Sequence, residues 1–260
     1  MKRAESTAVS RRLFAMAGLS AEAALVARRS LLAEKDGIVP TMVNAAAKAK
    51  ISVQPIRHNI SVLEGSGGNI AVLTGRDGKL LVDAGFAVSR PAITDALASM
   101  NADPIKHLIN THWHTDYTDG NAWPHTAGAA ITAHENTRKR LSVATRVEGW
   151  SYTFPPAPTG ALPAKVFATD HEIRRNDARI VLKYYGPAHT DSDISVYFAD
   201  ADVVHVDDTW WNGVCPFHRL FHRRQHRWID SRCRGQRRRH SAKPSPPNQQ
   251  PLTTRSGGSC

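Results

Sequence analysis

The sequence predicts an α/β fold in which two β-sheets pack face to face and helices cover their outer sides. Short apolar runs separated by turn residues occupy residues 51–85. A helical pattern follows at Pro91–Met100, and a second group of apolar runs lies between Ile180 and Val206. Short runs rich in Val and Ile and bounded by turn residues are typical of strands, whereas apolar residues three and four apart are typical of a packed helix. Strands, then a helix, then strands again favour the two-sheet sandwich.

The first group of strands is divided by two turns that contain glycine. Gly65-Ser66-Gly67-Gly68 lies between the second and third apolar runs, and Arg76-Asp77-Gly78 lies between the third and fourth. Asp-Gly is a strong hairpin signal. The glycine run could instead bind phosphate, but no helix with a Lys-Ser or Lys-Thr pair follows it, so we interpret it as a turn. The expected strands are Val53–Ile56, Asn59–Leu63, Asn69–Thr74 and Lys79–Val82.

The remaining elements follow from apolar spacing. In the helix Pro91–Met100 one face carries four apolar side chains, namely Ile93, Ala96, Leu97 and Met100. A polar helix is expected at His134–Val143, and His125 and His134 are expected to be structural or surface histidines. The aromatic and proline-rich segment Trp150–Pro163 predicts either a substrate wall or simple packing. The other expected strands are Pro104–Asn110, Ala129–Ala133, Ile180–Tyr185, Ile194–Phe198 and Val203–Val206.

The segment Asn110–Gly120 carries the residues with the clearest chemistry. His112 and His114 lie two apart, and Asp116 follows at the same spacing. In an extended segment such side chains point the same way, so both imidazoles can reach one metal ion. The chain has 13 histidines, so the pair alone is weak support. The strand before it, and a turn at Thr118–Asn121 that is expected to cap a helix, make a metal site the favoured interpretation.

Two distant segments offer further ligands. Gly186–Asp193 places His189 in a tight turn before a strand. Val203–Thr209 ends another apolar strand with the carboxylate of Asp208. The chain therefore holds three ligand-bearing segments, each beside a predicted strand.

Together these motifs resemble the metallo-β-lactamase superfamily. The resemblance runs from Val53 to Gly213, in the order that the family shows. It is carried by His112-Trp113-His114-Thr115-Asp116, Gly186-Pro187-Ala188-His189-Thr190, Asp208-Thr209-Trp210-Trp211-Asn212-Gly213 and the strand end Leu81-Val82-Asp83-Ala84-Gly85. The resemblance implies an αββα sandwich and a zinc-dependent hydrolase that attacks an acyl, lactam or ester bond of a small molecule. A β-lactam is the first substrate to test.

The resemblance also implies a role for each candidate residue. His112, His114 and His189 would form a three-histidine zinc site with an open position, where the pKa of bound water falls from ~15.7 to ~7. Asp116 would bind metal, orient the attacking water and accept its proton. Asp208 would bind or stabilise a second cation.

The second cation site departs from the family pattern. The family usually has a histidine directly after the aspartate of the first motif, whereas this chain has Tyr117, and the late Gly-His ligand motif is absent. A neutral phenol is a far poorer zinc ligand than an imidazole. Only Asp116 and Asp208 then remain for a second ion, so we expect one tightly bound zinc ion.

The basic character of the chain belongs to its last segment, residues 215–260. The whole chain has 34 Lys and Arg against 23 Asp and Glu, but 11 of the basic residues and one acidic residue, Asp230, lie in this segment. It could be a nucleic-acid-binding arm, a disordered tail, or an out-of-frame translation that begins after Pro216-Phe217. We favour the last, because relatives continue with a helix, a strand and the Gly-His ligand motif. The sandwich would then be incomplete at its C-terminal end.

Residues 1–35 are expected to form a leader. Ser10-Arg11-Arg12-Leu13-Phe14 precedes a mostly apolar run and resembles a twin-arginine export signal, although an amphipathic or disordered leader is the alternative. Export would place the protein in the periplasm or outside the cell, and otherwise it is cytoplasmic. An N-terminal arm at 36–50 and the lactamase-like domain at 51–214 would follow. The three cysteines give no disulfide framework, and no run of ~20 apolar residues could cross a membrane.

These observations favour a zinc hydrolase, impaired by the altered C-terminal part. The alternative is a non-catalytic relative, or a binding protein that uses its basic tail on nucleic acid. Neither interpretation identifies the substrate, because the fold hosts many chemistries.

Overall fold

The structure is a computed structural model that describes residues 37–210 of the 260-residue chain. The predicted leader at 1–35 and the basic tail at 215–260 lie outside these residues, and so does the predicted loss of the C-terminal part of the sandwich. The chain divides into two compact units, Met1–Thr41 and Met42–Cys260. All the sheets belong to the second unit.

Thirteen strands and five α-helices form within residues 37–210. The strands are β1 (Ser52–Arg57), β2 (Ile60–Glu64), β3 (Ile70–Leu73), β4 (Lys79–Val82), β5 (Ile105–Asn110), β6 (Ala130–His134), β7 (Thr145–Val147), β8 (Tyr152–Phe154), β9 (Lys165–Phe167), β10 (Asp170–Arg175), β11 (Ala178–Tyr184), β12 (Ile194–Phe198) and β13 (Val203–His205). The α-helices are α1 (Ile38–Ala46), α2 (Arg90–Met100), α3 (Thr115–Thr118), α4 (Ala122–Thr126) and α5 (Glu135–Leu141). Short 3-10 helices occupy Ala87–Ser89, Asp119–Asn121, Glu148–Trp150, Thr159–Ala161 and Asp207–Thr209.

Two sheets form the body of the second unit. The larger has seven strands in the order β1-β2-β3-β4-β5-β6-β9, and the smaller has four in the order β10-β11-β12-β13. The strands from β1 to β4 pair antiparallel, whereas β4, β5, β6 and β9 pair parallel. All pairs of the smaller sheet are antiparallel. A separate hairpin joins β7 and β8.

The alternation of side chains along the strands separates two cores. In β4, Leu80 and Val82 join the cluster that also contains Leu182 and Phe198 of the smaller sheet. Leu81, between them, belongs instead to the cluster that contains the inner face of α2. Because successive side chains of a strand point to opposite faces, one strand contributes to both layers, and the larger sheet is buried on both sides.

The predicted sandwich and most of its elements are confirmed. The Asp-Gly signal does mark a hairpin, since β3 and β4 pair antiparallel on either side of residues 74–78. The helix α2 buries Ile93, Ala96 and Leu97, as its spacing predicts. Between Leu141 and Trp210 the chain contains no α-helix, so that segment does not supply the helical layer expected outside the smaller sheet.

Several boundaries and elements differ from the prediction. The polar helix begins at Glu135 rather than His134, because His134 completes β6 and its ring accepts a hydrogen bond from the Asn136 N–H, 3.2 Å away. The predicted turn at Thr118–Asn121 is itself helical, as it falls in α3 and the 3-10 helix after it. The prediction omitted β7 to β10. The last of these is a solvent-facing edge strand of sequence Asp-His-Glu-Ile-Arg-Arg, which lacks apolar alternation.

The parallel pairing of β4 and β5 brings the segments that carry Asp83 and His112 to one edge of the larger sheet. Leu81 and Val82 of β4 lie beside Leu108 and Ile109 of β5, so both strands end at the same edge of the sheet. The C-terminal ends of parallel strands are where open α/β folds place their sites. Within residues 37–210, no helix is long and apolar enough to cross a bilayer.

Candidate metal centre

The loop after β5 is held in place by the end of β4. Thr111 donates two hydrogen bonds to Asp83, from its backbone N–H to Oδ1 (2.9 Å) and from its hydroxyl to Oδ2 (2.8 Å). Asp83 is fully buried and has a left-handed backbone conformation (φ 69°). Burial raises the pKa of its carboxyl group, and contacts with His205 and Thr111 oppose that rise. Asp83 therefore fixes the backbone immediately before His112.

A second buried aspartate holds the turn that carries His189. Asp193 accepts hydrogen bonds from the backbone N–H of Thr190 (2.7 Å), the hydroxyl of Thr190 (2.6 Å) and the backbone N–H of Ala188 (3.2 Å). At the start of β12, the backbone N–H of Ile194 donates to the carbonyl of Thr111 (3.0 Å). This bond connects the smaller sheet directly to the loop of His112.

Asp208 lies in the 3-10 helix after β13. Its neighbour Asp207 has a left-handed backbone (φ 49°), and the Asp207 side chain accepts a hydrogen bond from the Thr209 N–H (2.9 Å). Both aspartates are buried. Burial, followed by the charges of Asp193 and Asp208, raises the pKa of Asp207 well above its ordinary value.

Four of the five predicted ligands come together in a compact group. The ligand atoms of His112, His114, His189 and Asp208 all lie within 4.8 Å of one another. Nε2 of His189 is 3.0 Å from Nδ1 of His114 and 3.4 Å from Oδ2 of Asp208. Nε2 of His112 is 3.7 Å from the same carboxylate oxygen.

These separations fit a zinc ion. Tetrahedral zinc with Zn–N bonds near ~2.0–2.1 Å holds its ligand atoms about 3.3 Å apart. Two imidazole nitrogens 3.0 Å apart, as in His114 and His189, either share one proton or direct two lone pairs at a cation. Nε2 of His112 is buried and makes no hydrogen bond within the described part of the chain. A buried nitrogen acceptor of this kind is the donor atom that zinc requires.

The protonation state of His112 also suits a metal ligand. Burial, followed by the proximity of His189 and His205, lowers its pKa well below 6.5, so the imidazole is neutral at pH 7. Its other nitrogen, Nδ1, lies 3.2 Å from the hydroxyl of Thr111 and 3.6 Å from Oδ2 of Asp207. Such partners orient the ring and fix which nitrogen faces the metal.

Tyr117 lies where the resemblance leads one to expect a histidine. Its hydroxyl donates a hydrogen bond to Oδ1 of Asp208 (2.8 Å), and its ring lies 4.3 Å from that of His112. The side chain is buried. Burial and the charges of Asp208 and Asp116 raise the pKa of this phenol well above 10, so it remains neutral.

Asp116 is not part of the four-residue group. It is buried at the start of α3, and burial, then the charges of Asp208 and Asp83, raise the pKa of its carboxyl group well above its ordinary value. The charge of Asp208 therefore acts on the Asp116 carboxyl group. Its predicted roles in binding metal and accepting a proton remain predictions.

Aromatic side chains border the histidines on one side. The ring of Trp150 lies 4.9 Å from that of His114, and the ring of Trp113 lies 4.5 Å from it. Phe154 of β8 contacts both tryptophans, at 6.0 and 5.7 Å. This part of the predicted aromatic segment therefore does lie beside the candidate centre.

Sequence reasoning gave no role to three buried residues near the centre. Asp193 and Asp207 lie in the segments Gly186–Asp193 and Val203–Thr209. A carboxylate among apolar or small residues is the feature that could have indicated their burial. His205 ends β13, with Nε2 3.6 Å from Oδ2 of Asp83. Nothing in its strand pattern distinguishes it from a core histidine.

His134, by contrast, is structural as predicted, since its Nε2 lies 3.0 Å from the Ala168 carbonyl and its ring stacks on Tyr184.

Comparison with known proteins agrees with this geometry. The sequence pattern of the family described as "Metallo-beta-lactamase superfamily" matches residues 63–238, which include all the candidate ligands. Similar solved structures include a metallo-beta-lactamase of Cronobacter sakazakii, with 18% identity, a TM-score of 0.59 and coverage of 78% of each chain. Another is a B3 metallo-beta-lactamase with an active-site glutamic acid, with 17% identity, a TM-score of 0.59 and coverage of 80% of each chain.

A third similar structure is a subclass B3 metallo-beta-lactamase from a soil metagenome library, with 17% identity and a TM-score of 0.52. Here the match covers 61% of this chain and 64% of the other, so the chain spans less than two thirds of that relative. At such identities the structural likeness supports the fold. Because the family pattern also matches most of the sequence, the chain belongs to the metallo-beta-lactamase superfamily.

Proposed function

We propose that the protein is a zinc-dependent hydrolase that binds one zinc ion and acts on an acyl, lactam or ester bond of a small molecule. The observation that carries the proposal is the buried group of His112, His114, His189 and Asp208. Asp208, which the resemblance assigns to a second cation, would instead join the three histidines in holding one ion, and zinc can accept a further ligand beyond four. When bound, zinc supplies Lewis acidity, which lowers the pKa of water toward ~7 and polarises the oxygen of an acyl group.

The residues around the group supply the other parts of the reaction. Asp116, a buried carboxylate at the start of α3, is proposed to orient the attacking water and to accept its proton, as a positioned carboxylate can. Trp150, which is half-buried against His114, would give apolar surface to the substrate. Asp83 and Asp193 hold the two histidine-bearing segments in place through their hydrogen bonds.

A single ion is proposed because Tyr117 occupies the position of a second-ion ligand and is fully engaged with Asp208. Zinc analysis after dialysis should give one equivalent per chain, and two equivalents would contradict this.

We also propose that activity is low, because residues after Pro216-Phe217 do not resemble the late ligand motif of the family. Export to the periplasm is proposed from the twin-arginine-like segment alone.

The decisive experiment compares hydrolysis and zinc binding in matched variants. A β-lactam is tested first, because the similar structures are described as metallo-beta-lactamases, and a panel of lactones, thioesters and nitrophenyl esters follows. We expect hydrolysis that a chelator abolishes and zinc restores. His114→Ala should lose both hydrolysis and zinc, while His125→Ala, which removes an exposed histidine, should keep both.

The alternative function has its own signature. A chain that binds no zinc and hydrolyses none of these compounds would be a non-catalytic relative. DNA binding with a steep salt dependence, lost when residues 215–260 are removed, would then indicate a binding protein.

A further inference from the structure

Tyr117 is held at the candidate metal centre by backbone hydrogen bonds and by close contacts of its ring. Its backbone N–H donates to the His114 carbonyl (3.1 Å), and its own carbonyl accepts from the Ala84 N–H (2.8 Å). One side of its ring faces His112. On another side is Gly68, where an added Cβ would lie only 2.3–2.7 Å from the ring carbons. The phenol therefore fills a slot that exists because residue 68 has no side chain.

The hydroxyl of Tyr117 gives the two carboxylate oxygens of Asp208 different partners. Oδ1 accepts the phenol proton at 2.8 Å. Oδ2 lies 3.4 Å from Nε2 of His189 and 3.7 Å from Nε2 of His112. A carboxylate that is free to rotate can present either oxygen, or both, to a cation. Here one oxygen is committed to the phenol, so the other faces the imidazoles.

We infer that Tyr117 is a positioning residue that fixes Asp208 as a ligand through Oδ2 alone. This inference rests on the proposed metal-dependent function and goes beyond it. The family's histidine at this position would bind a second ion directly. Tyr117 instead donates a hydrogen bond to Asp208, which is a ligand of the single ion. The one-ion centre is completed by this hydrogen bond.

The first test removes the hydroxyl and keeps the ring. Tyr117→Phe is compared with Tyr197→Phe, which deletes an equivalent hydrogen bond from a tyrosine hydroxyl to an aspartate, Asp202 (3.0 Å), outside the centre. The affinity for zinc is measured by competition with a chromophoric chelator, and the absorption spectrum of the Co²⁺-loaded protein is recorded. Loss of such an outer partner typically weakens metal affinity 10- to 100-fold.

For Tyr117→Phe we expect a zinc dissociation constant raised ~10-fold or more, an unchanged stoichiometry of one and an altered cobalt spectrum. Tyr197→Phe should match the wild type in all three. An unchanged dissociation constant and cobalt spectrum in Tyr117→Phe would show that the tyrosine only packs, and would overturn the inference while leaving the proposed function intact. A wild-type chain that binds neither zinc nor cobalt would overturn both.

The second test asks whether Tyr117 acts through Asp208 or through its contact with His112. In the Asp208→Ala background the three histidines remain, and the phenol has no carboxylate to position. Tyr117→Phe should then have no further effect on zinc affinity. The same fold-change in both backgrounds would overturn the inference. The double variant has lost both partners of the hydrogen bond, so no buried group is left unpaired by the second substitution. Its zinc affinity can therefore be compared with that of Asp208→Ala even if Tyr117→Phe alone folds poorly.

Discussion

Asp83 and Thr111, which lie 28 residues apart in the chain, are joined by two buried hydrogen bonds. They connect the end of β4 to the first residue after β5, and the next residue is the candidate ligand His112. The direction of the His112 ring therefore depends on a carboxylate that is not itself one of the four candidate ligands.

Replacing Asp83 should affect both stability and metal binding. Asp83→Ala leaves two buried donors of Thr111 without an acceptor, and each such group costs about 1–3 kcal/mol. We expect the free energy of unfolding to fall by roughly 2–6 kcal/mol and zinc affinity to fall at least ~10-fold. Urea unfolding of the metal-free protein and chelator competition measure the two effects.

Two further variants control this experiment. Asp83→Asn should lose less, because its amide oxygen still accepts one hydrogen bond and asparagine tolerates the left-handed backbone. Glu172→Ala, which removes exposed ion pairs with Arg174 and Arg179, should behave like the wild type. Full zinc affinity in Asp83→Ala would contradict the role assigned to this contact.

Gly68 and Tyr117 should show strong non-additivity. Gly68→Ala places a methyl group against the phenol ring, and overpacking of this kind costs typically 1–3 kcal/mol. The same substitution should be nearly neutral in the Tyr117→Ala background, where the ring is absent. Gly149→Ala is the control, since an added Cβ there meets nothing within 4 Å. Thermal and urea unfolding of the four chains test this, and equal losses in both backgrounds would refute it.

His107 should make stability depend on pH. Arg175 donates from Nε to Nε2 of His107 (2.6 Å), and burial, followed by the charges of Arg175 and Lys165, lowers the histidine pKa below 6.5. The folded chain then binds fewer protons than the unfolded chain below pH 6.5. Stability is therefore lost as the pH falls from 6.5 toward the folded-state pKa.

His107→Gln should remove this part of the pH dependence, because glutamine can still accept the hydrogen bond but does not titrate. The free energy of urea unfolding is measured for both chains between pH 7.5 and 5. The difference between them should change with pH in the direction given above. Parallel curves over the whole range would show that His107 does not contribute.

Zinc should raise the melting temperature. A ligand that binds only the folded state adds RT ln(1 + [L]/Kd), or about 1.4 kcal/mol for each tenfold rise in free zinc above Kd. Calorimetry at several zinc concentrations, with a chelator-treated sample as reference, measures this. His114→Ala should lose the dependence and His125→Ala should keep it. A broad melt that ignores zinc would indicate a chain without a stable site.

The sequence predicts those features whose cause is local. Leu80, Leu81 and Val82 form a short apolar run after a turn, so the strand follows from the sequence, and the structure shows that both of its faces are buried. His112 and His114 are two apart after a strand, so their shared direction also follows. The edge strand β10 could not be predicted in this way, because Ile173 is its one apolar side chain and the strand is defined by pairing with β11.

Contacts between distant residues could not be predicted from pattern. Tyr117 and Asp208 are 91 residues apart, and the sequence shows only that a tyrosine stands in an unusual place. Its hydrogen bond depends on how the end of β13 meets α3, which no periodicity encodes. The role of Asp193 was also hidden, because a carboxylate in a turn of Gly, Pro, Thr and Ser is equally typical of a solvated loop.

The centre draws on both halves of the sandwich: His114 and His189 are 75 residues apart, and the bond from Ile194 to Thr111 links their segments. Closing a loop of that length costs entropy before any contact compensates for it, so non-local pairings form slowly. We therefore expect metal binding to follow the folding of both sheets. The folding of a small zinc finger can be driven by metal binding. In this protein, by contrast, we expect both sheets to form before the candidate ligands lie close enough together to bind an ion.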